Sequence, residues 1–332
     1  MNKNRIKQIL GTEYPIVQAP MTWITSAESV AAVGNTGGLG TLGSNAGQKT
    51  ITNDVKETSE RMRNEIRKTR QLTDAPFAVN FIVPVKGMTA QYFNYSNVIL
   101  DVMIEEGVEF AVAVAMDTPD FSEPFKKMKD AGIKIIYRDN TPSIEKAKAA
   151  EAAGADIIVA TGYDGGGAIP SYPIGTFSIV PMIADNVNIP VMAAGGITDN
   201  RSVRAALALG AEGVYVGTRF IASTECPASD ICKQDIVQTE STDLIQFSIT
   251  SFNFRTIPHK LACELKGLDD NGASPEELNN KLSGTGGGYK RAMLDGFLDE
   301  GISGVSYAVS LIKEVKSCKD IIEEMMLGIN FK

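Results

Sequence analysis

The sequence predicts a TIM-type (β/α)₈ barrel with a smaller, mainly helical domain after the eighth strand. Eight short apolar segments alternate with helical patterns, glycine turns follow the last two segments, and about a third of the chain remains beyond them. Alternating strands and helices are typical of parallel sheets, and eight parallel strands close a barrel. A chain of 332 residues is long enough for such a barrel and an added domain.

The strands are predicted where short apolar runs end in glycine, proline or polar residues. In chain order they cover 14–21, 37–43, 76–81, 107–113, 132–138, 155–161, 190–194 and 214–216. Helical patterns separate the strands, and Ser26 is expected to cap the helix after the first strand. The helices are predicted at 3–10, 29–33, 51–72, 122–131, 143–153, 177–187 and 199–209.

The pattern in the remaining third of the chain predicts a second, smaller domain beside the barrel. Residues 224–302 carry helical patterns without a clear strand pattern, and we expect them to form a smaller lid or substrate domain over the mouth. The glycine-rich turn at 284–288 lacks the Gly-Lys-Ser/Thr ending of a P-loop. Residues 303–327 are predicted to form one long amphipathic helix against the barrel wall. The barrel domain is therefore predicted to comprise 1–223 and 303–332.

Composition narrows the function. The net charge of −8 argues against nucleic acid or an anionic membrane as partner, so we expect a small-molecule substrate. The four cysteines form no C-x-x-C pair, and neither a metal site nor a disulfide framework is expected. The polar N-terminus and the lack of a long apolar run predict a cytoplasmic location. The oligomeric state stays open, with a homodimer among the alternatives.

The segment 189–223 predicts a phosphate site. It forms a strand–helix–strand unit in which Gly195 and Gly196 follow one strand and Gly217 and Thr218 follow the next. Glycine lets backbone N–H groups approach a ligand closely, and the ends of barrel strands 7 and 8 commonly hold phosphate. The alternative is that these glycines only permit tight turns.

A second glycine pattern, Gly38-Leu39-Gly40-Thr41-Leu42-Gly43, matches G-x-G-x-x-G. A dinucleotide fingerprint needs a strand before the glycines and a helix that begins within them. Here a predicted helix precedes the glycines, which lie in a predicted strand. The pattern therefore does not favour a dinucleotide site.

Five segments, at 15–21, 35–43, 77–81, 193–227 and 284–308, resemble the nitronate monooxygenase family, formerly called 2-nitropropane dioxygenases. The family also contains flavin-dependent type II enoyl-acyl-carrier-protein reductases and some NAD(P)H:quinone reductases. The resemblance implies an FMN-dependent oxidoreductase that oxidises alkyl nitronates with O₂. The alternatives are NAD(P)H-dependent reduction of enoyl thioesters or quinones, and a flavin-binding protein without catalysis.

The resemblance also implies residues of the FMN site. Ala19, Pro20 and Met21 would lie against the ring system, and Asn80 would hydrogen-bond a ring edge. Arg138 falls where many relatives carry a lysine that faces the flavin N1/O2 edge, and a cation there stabilises the anionic reduced flavin. The other implied cofactor-binding residues are Gly166, Gly167, Ala194, Gly195, Gly196, Gly217 and Thr218.

The sequence departs from the family at the proposed acid/base. Ala168 stands where relatives usually carry a histidine, and Thr161 replaces a frequent acidic residue. The only histidine, His259, lies in the second domain and is expected to be a surface or packing residue. No catalytic residue is therefore assigned. A nitronate is already deprotonated and needs no base, whereas enoyl reduction needs a proton, for which Tyr163, Tyr172 or water are the candidates.

A different class of barrel, the IMP dehydrogenase type, has similar turns after strands 7 and 8 and needs a nucleophilic cysteine near the substrate. Cys226 lies just past strand 8. Its surroundings match the flavin family, so we interpret it as a structural residue.

Overall fold

The computed structural model describes residues 4–84, 90–116, 119–249, 252–283 and 288–330. Within these ranges the chain forms eleven strands. They are β1 Ile16–Gln18, β2 Gly40–Leu42, β3 Phe77–Ile82, β4 Phe110–Ala115, β5 Lys134–Asp139, β6 Ile157–Thr161, β7 Gly167–Ile169, β8 Val191–Ala194, β9 Gly213–Val216, β10 Ile245–Ile249 and β11 Phe252–Thr256.

Eight of these strands form the predicted barrel. Their order is β1-β9-β8-β6-β5-β4-β3-β2, and every pair is parallel. A parallel bridge between Val17 and Leu39 joins the two ends, where the Gln18 N–H donates to the Leu39 carbonyl at 2.9 Å. The (β/α)₈ prediction is confirmed, and all eight predicted barrel strands are present.

Helices surround the barrel and continue into the C-terminal region. They are α1 Arg5–Leu10, α2 Ala27–Asn35, α3 Val55–Leu72, α4 Ala90–Glu105, α5 Ser122–Asp130, α6 Ile144–Ala152, α7 Thr176–Ala184, α8 Asn200–Ala208, α9 Thr218–Ile221, α10 Asp230–Gln238, α11 Lys260–Asp270, α12 Pro275–Ser283 and α13 Cys318–Met326. Ser26 caps α2 as expected, accepting from the Ser29 N–H. The helix α4 was not among the predicted helices.

Side chains alternate between the inside and the outside of the barrel along each strand, and the inward-facing ones form its core and the residues at its mouth. Inward-facing side chains such as Val17, Ala78, Ile136 and Val159 form one buried cluster, to which α1 contributes Ile6 and Leu10 at the N-terminal end of the barrel. Two residues further along the same strands, the inward positions at the C-terminal ends are Ala19, Asn80, Arg138 and Thr161. The barrel interior is therefore apolar below and polar at its mouth.

The region after β9 contains strands that the sequence analysis missed. β10 and β11 pair antiparallel, and β11 pairs antiparallel with β7, which follows the sixth barrel strand. The absence of a strand pattern in 224–302 was therefore a wrong expectation. Ile245, Phe247 and Ile249 do alternate with polar residues, as half-buried strands do.

The predicted long helix over 303–327 is also wrong. The segment holds a 3₁₀ turn at Tyr307–Leu311 and the shorter helix α13. The Ser306 N–H donates to the Thr218 hydroxyl at 3.0 Å, and the Tyr307 N–H donates to the Asp164 carbonyl at 3.1 Å. These bonds to distant residues replace the i→i−4 bonds that a helix needs. Of the glycine-rich turn predicted at 284–288, residues 284–287 lie outside the described residues.

Among the described helices, none is both long and apolar enough to span a membrane.

Candidate active site

A cavity of about 280 Å³ opens at the C-terminal ends of the barrel strands. The segment after the three-stranded sheet contributes to its wall through Tyr289, Met293, Gly304 and Ser306. The twelve residues for which the sequence predicted cofactor contacts all line this one cavity. They are Ala19, Pro20, Met21, Asn80, Arg138, Gly166, Gly167, Ala194, Gly195, Gly196, Gly217 and Thr218.

The turns after β8 and β9 present backbone donors to the cavity. No acceptor within the described residues takes the N–H groups of Gly195, Gly196, Gly217 or Thr218. The φ angles of Gly195 and Gly196 are +95° and +73°, in the left-handed region that favours glycine. A row of free N–H groups in such a turn is an anion-binding surface.

Buried polar contacts hold the first of these turns. The Thr176 hydroxyl lies 2.8 Å from both the Asp164 carboxylate and the Gly195 carbonyl. The Thr176 N–H also donates to the Asp164 carboxylate at 2.6 Å. The turn after β8 is thereby tied to the loop after β6, and its donors are fixed without a ligand.

Arg138 brings a positive charge into the cavity. It is half-buried at the end of β5, and no carboxylate among the described residues forms an ion pair with it. Burial raises the pKa of the Tyr215 and Tyr289 phenols, and the Arg138 charge opposes that rise in both. The guanidinium lines the same cavity as the two phenols and is available to an anion.

Two further polar side chains line the mouth of the barrel. The Asn80 amide donates to the Val112 carbonyl at 3.1 Å, which fixes its orientation. The Thr161 hydroxyl is buried and has no hydrogen-bond partner among the described residues. Because buried hydroxyls are usually paired, Thr161 is a candidate ligand contact.

The loop after β6 is held by Arg255, which the sequence analysis did not single out. Arg255 is fully buried in β11 and donates to the carbonyls of Tyr163, at 2.6 Å, and Gly165. Its guanidinium stacks on the Tyr307 ring at 3.5 Å. Burial lowers the pKa of Arg255. Through these bonds Arg255 positions the glycine loop after β6, which forms one wall of the cavity.

Several sequence candidates lie elsewhere. The Tyr163 hydroxyl bonds the Gln246 amide at 2.5 Å, Tyr172 is 66% exposed, and neither lines the cavity. His259 is paired with Asp235 at 2.8 Å, away from the cavity lining. The phenols that do line the cavity, Tyr215 and Tyr289, were missed as candidates.

Cys226 is a packing residue. Its thiol donates to the Ile24 carbonyl at 3.3 Å, and burial raises its pKa to about 11. A thiol that is buried and protonated is a poor nucleophile. This agrees with the structural interpretation made from the sequence.

Comparison with known proteins identifies the family. The family model described as nitronate monooxygenase matches residues 3–328. A probable nitronate monooxygenase of Staphylococcus saprophyticus is 36% identical over 303 residues, covering 80% of this chain and 81% of its own length. One of Staphylococcus aureus is 37% identical over 277 residues, covering 74% and 75%.

The chain belongs to the nitronate monooxygenase family.

Solved structures agree with this assignment. FabK from Thermotoga maritima superimposes with a TM-score of 0.83 at 32% identity, covering 98% of this chain and 95% of its own. The nitroalkane oxidase of Streptomyces ansochromogenes shares the fold, with a TM-score of 0.77 at 23% identity and coverage of 97% and 96%. As a member of the nitronate monooxygenase family, the protein is an FMN-dependent oxidoreductase.

Proposed function

We propose that the cavity binds FMN and that the loaded protein oxidises alkyl nitronates with O₂. The observation that carries the proposal is the half-buried Arg138, a cation without an ion-pair partner among the described residues, in a cavity edged by free backbone donors. One cavity thus offers both a phosphate cradle and a charge that suits an anionic ring or substrate.

The residues present fit FMN. The N–H groups of Gly195, Gly196, Gly217 and Thr218 would hold the phosphate, because they line the cavity and have no acceptor among the described residues. A Cβ added to Gly217 would lie 3.7 Å from the Ala19 Cβ, so a larger side chain would extend along the cavity wall. The glycine leaves that space for a ligand.

The remaining cofactor contacts follow from the ends of the strands. Ala19, Pro20 and Met21 would contact the ring system, and the fixed Asn80 amide would hydrogen-bond its edge. Arg138 would stabilise negative charge on the reduced ring. When bound, FMN supplies the electron acceptor that the side chains of the protein lack.

The nitronate is the substrate that these side chains suit. Ala168 lines the cavity from β7 and cannot remove a proton, and no His, Asp or Glu is among the described residues that line the cavity. A nitronate arrives without the proton that a neutral nitroalkane must lose. Its negative charge is also complementary to Arg138.

The second candidate is reduction of an enoyl thioester or a quinone with NAD(P)H. It is favoured by the two cavity phenols, since enoyl reduction needs a proton donor near the substrate. Tyr289 and Tyr215 are both protonated at neutral pH, because burial raises their pKa values.

Anaerobic stopped-flow reduction of the purified flavoprotein separates the two. We expect the released cofactor to be FMN, and ethyl nitronate to bleach the flavin absorbance faster than NADH or NADPH does. If NADH or NADPH bleaches the flavin and nitronate does not, the reductase function replaces the proposed one. Release of FAD would contradict the cofactor assignment.

A further inference from the structure

We propose that the Tyr289 hydroxyl is a substrate-binding donor, which hydrogen-bonds a nitronate oxygen at the position where relatives carry the histidine. The inference rests on the proposed function, since it assumes a nitronate above the cofactor. No bond is broken in this step: the phenol keeps its proton and donates it as a hydrogen bond.

Tyr289 lies directly beside Gly167, the residue that precedes Ala168. A Cβ added to Gly167 would lie 2.9 Å from the Tyr289 hydroxyl oxygen. One added to Gly304 would lie 3.0 Å from a ring carbon of Tyr289. The phenol therefore occupies space that two glycines leave open, next to the small side chain of Ala168.

The ring is positioned by packing rather than by its hydroxyl. Tyr289 contacts the buried cluster of Phe247, Phe254 and Leu261, with its ring centroid 5.9 Å from that of Phe254. Tyr289 is partly buried and lines the cavity, and its hydroxyl makes no hydrogen bond to the described residues. A hydroxyl without a protein partner at a cavity wall suits a ligand.

The charge around the phenol matches an anionic substrate. Arg138 is the charged side chain whose field acts on Tyr289. Burial keeps the pKa of Tyr289 above its usual value despite that cation, so the hydroxyl remains a neutral donor. A nitronate bears its charge on two oxygens, so the Tyr289 hydroxyl can donate to one of them in a cavity that also carries the positive charge of Arg138.

Tyr215 has a different place. It is 5% exposed, belongs to the strand β9, and packs in the interior cluster at the barrel mouth with Ala19 and Ala194. Its hydroxyl is therefore on the barrel side of the cavity. Tyr289 lines the cavity from the segment after α12, outside the barrel strands.

The test is Tyr289→Phe, which keeps the ring and its packing. Loss of a hydrogen bond to a charged group weakens binding by about 10- to 150-fold, so we expect KM for ethyl nitronate to rise by that factor with kcat nearly unchanged. FMN affinity should stay within about twofold, because the hydroxyl does not touch the phosphate cradle. Tyr172→Phe, which removes an exposed hydroxyl outside the cavity, is the matched control and should change nothing.

Nitrate binding gives a readout that is independent of turnover. Nitrate is a planar, unreactive anion, and its affinity for the FMN-loaded protein can be measured by calorimetry. We expect Tyr289→Phe to weaken nitrate binding, and the control variant to bind it as the wild type does.

The outcomes separate this inference from the proposed function. Equal KM and equal nitrate affinity in wild type and Tyr289→Phe would overturn the inference while nitronate oxidation stands. Loss of FMN from the variant would make Tyr289 a cofactor contact instead, and also overturn it. If the wild type does not oxidise nitronate, the proposed function fails, and the nitrate affinities alone decide whether Tyr289 binds anions.

Discussion

Arg138 and Asp139 are neighbours in β5, yet their side chains lie on opposite sides of the barrel wall. Asp139 points outward, where its carboxylate accepts from the Tyr137 hydroxyl at 2.7 Å and from Lys146 at 2.9 Å. Arg138 points inward to the cavity. Because adjacent strand residues face opposite sides, the carboxylate cannot neutralise the guanidinium. The Arg138 guanidinium can therefore interact with a ligand in the cavity.

The first prediction concerns this charge. Arg138→Met should lower the reduction potential of the bound flavin, because the anionic reduced ring loses its counter-charge. Each loss of about 1.4 kcal/mol lowers a two-electron potential by about 30 mV, and we expect at least that. Arg138→Lys should retain most of the potential, since a point charge suffices there. Dye equilibration measures all three, and an unchanged potential in the Met variant would remove Arg138 from the flavin site.

The second prediction concerns the phosphate cradle. Gly217→Val should weaken FMN binding by at least about tenfold, the equivalent of one lost hydrogen bond to a charged group. Gly217 has a φ of −108°, and an added Cβ meets its nearest neighbours at 3.7 and 4.0 Å, so the protein itself tolerates a side chain. Flavin fluorescence titration of the apoprotein gives the affinity.

Gly195 is a less suitable position for the same test. Its φ is +95°, and an added Cβ would lie 2.7 Å from the Gly162 carbonyl. Gly195→Val should therefore lower the melting temperature of the apoprotein as well as the affinity. A Gly217→Val variant with unaltered melting and unaltered affinity would show that the phosphate binds elsewhere.

The third prediction concerns Ala168. The wild type should oxidise a nitronate faster than the corresponding neutral nitroalkane by about 10²- to 10⁴-fold, the usual contribution of a positioned base. Ala168→His should narrow that gap by restoring a base. Oxygen uptake with ethyl nitronate and with neutral nitroethane measures the two rates. Equal rates in the wild type would contradict this prediction, because they would mean that another group or water removes the proton from the neutral form.

The fourth prediction concerns Arg255. Arg255→Met leaves the carbonyls of Tyr163 and Gly165 buried without their donor, which costs about 1–3 kcal/mol for each. Urea unfolding should show that loss, together with weaker FMN binding through the displaced glycine loop. Arg291→Met is the control: that cation also stacks on a ring, Phe297 at 3.7 Å, but it is partly exposed. A loss of stability equal to that of the control would contradict the role of Arg255.

The fifth prediction is a pH dependence of stability at Glu65. This carboxyl is 5% exposed, accepts from the Ala27 N–H at 2.6 Å, and has its pKa raised by burial. A raised pKa means that the folded state holds the proton more tightly than the unfolded state. The contribution of Glu65 to the stability of the protein therefore falls as pH rises above the usual glutamate range. The free energy of unfolding of Glu65→Gln, relative to that of the wild type, should therefore be higher at pH 7 than at pH 4.5, as measured by urea unfolding. The opposite trend would contradict the assignment.

The barrel could be predicted from the sequence because it depends on local patterns. Apolar runs ending in glycine mark the strands, and a parallel barrel brings all their C-terminal ends together. Gly217 was singled out by such a pattern, whereas Arg138 and Asn80 were singled out only by the resemblance to the family. All three line one cavity although they are far apart in the chain.

The region after β9 could not be predicted in the same way. The buried state of Arg255 depends on carbonyls about ninety residues earlier in the chain, at Tyr163 and Gly165. Residues 303–327 have an amphipathic pattern, but the backbone of Ser306 bonds Thr218 instead of forming a helix. Tyr289 follows a glycine-rich stretch that has no periodic pattern. Its position beside Gly167 and Gly304 depends on the fold and is not visible in the sequence.

The pairing of β7 with β11 has a consequence for how new substrate ranges can arise in this protein. The sheet joins the glycine loop after β6 to the segment that carries Arg255, and the turns at Gly195 and Gly217 follow barrel strands. Exchanging residues 288–305 with those of a relative would thus replace the cavity wall formed by Tyr289, Met293 and Gly304 and keep Ser306, whose N–H bonds the Thr218 hydroxyl. Diversification by such modular replacement needs no new cofactor site, which makes this segment the natural target for directed evolution.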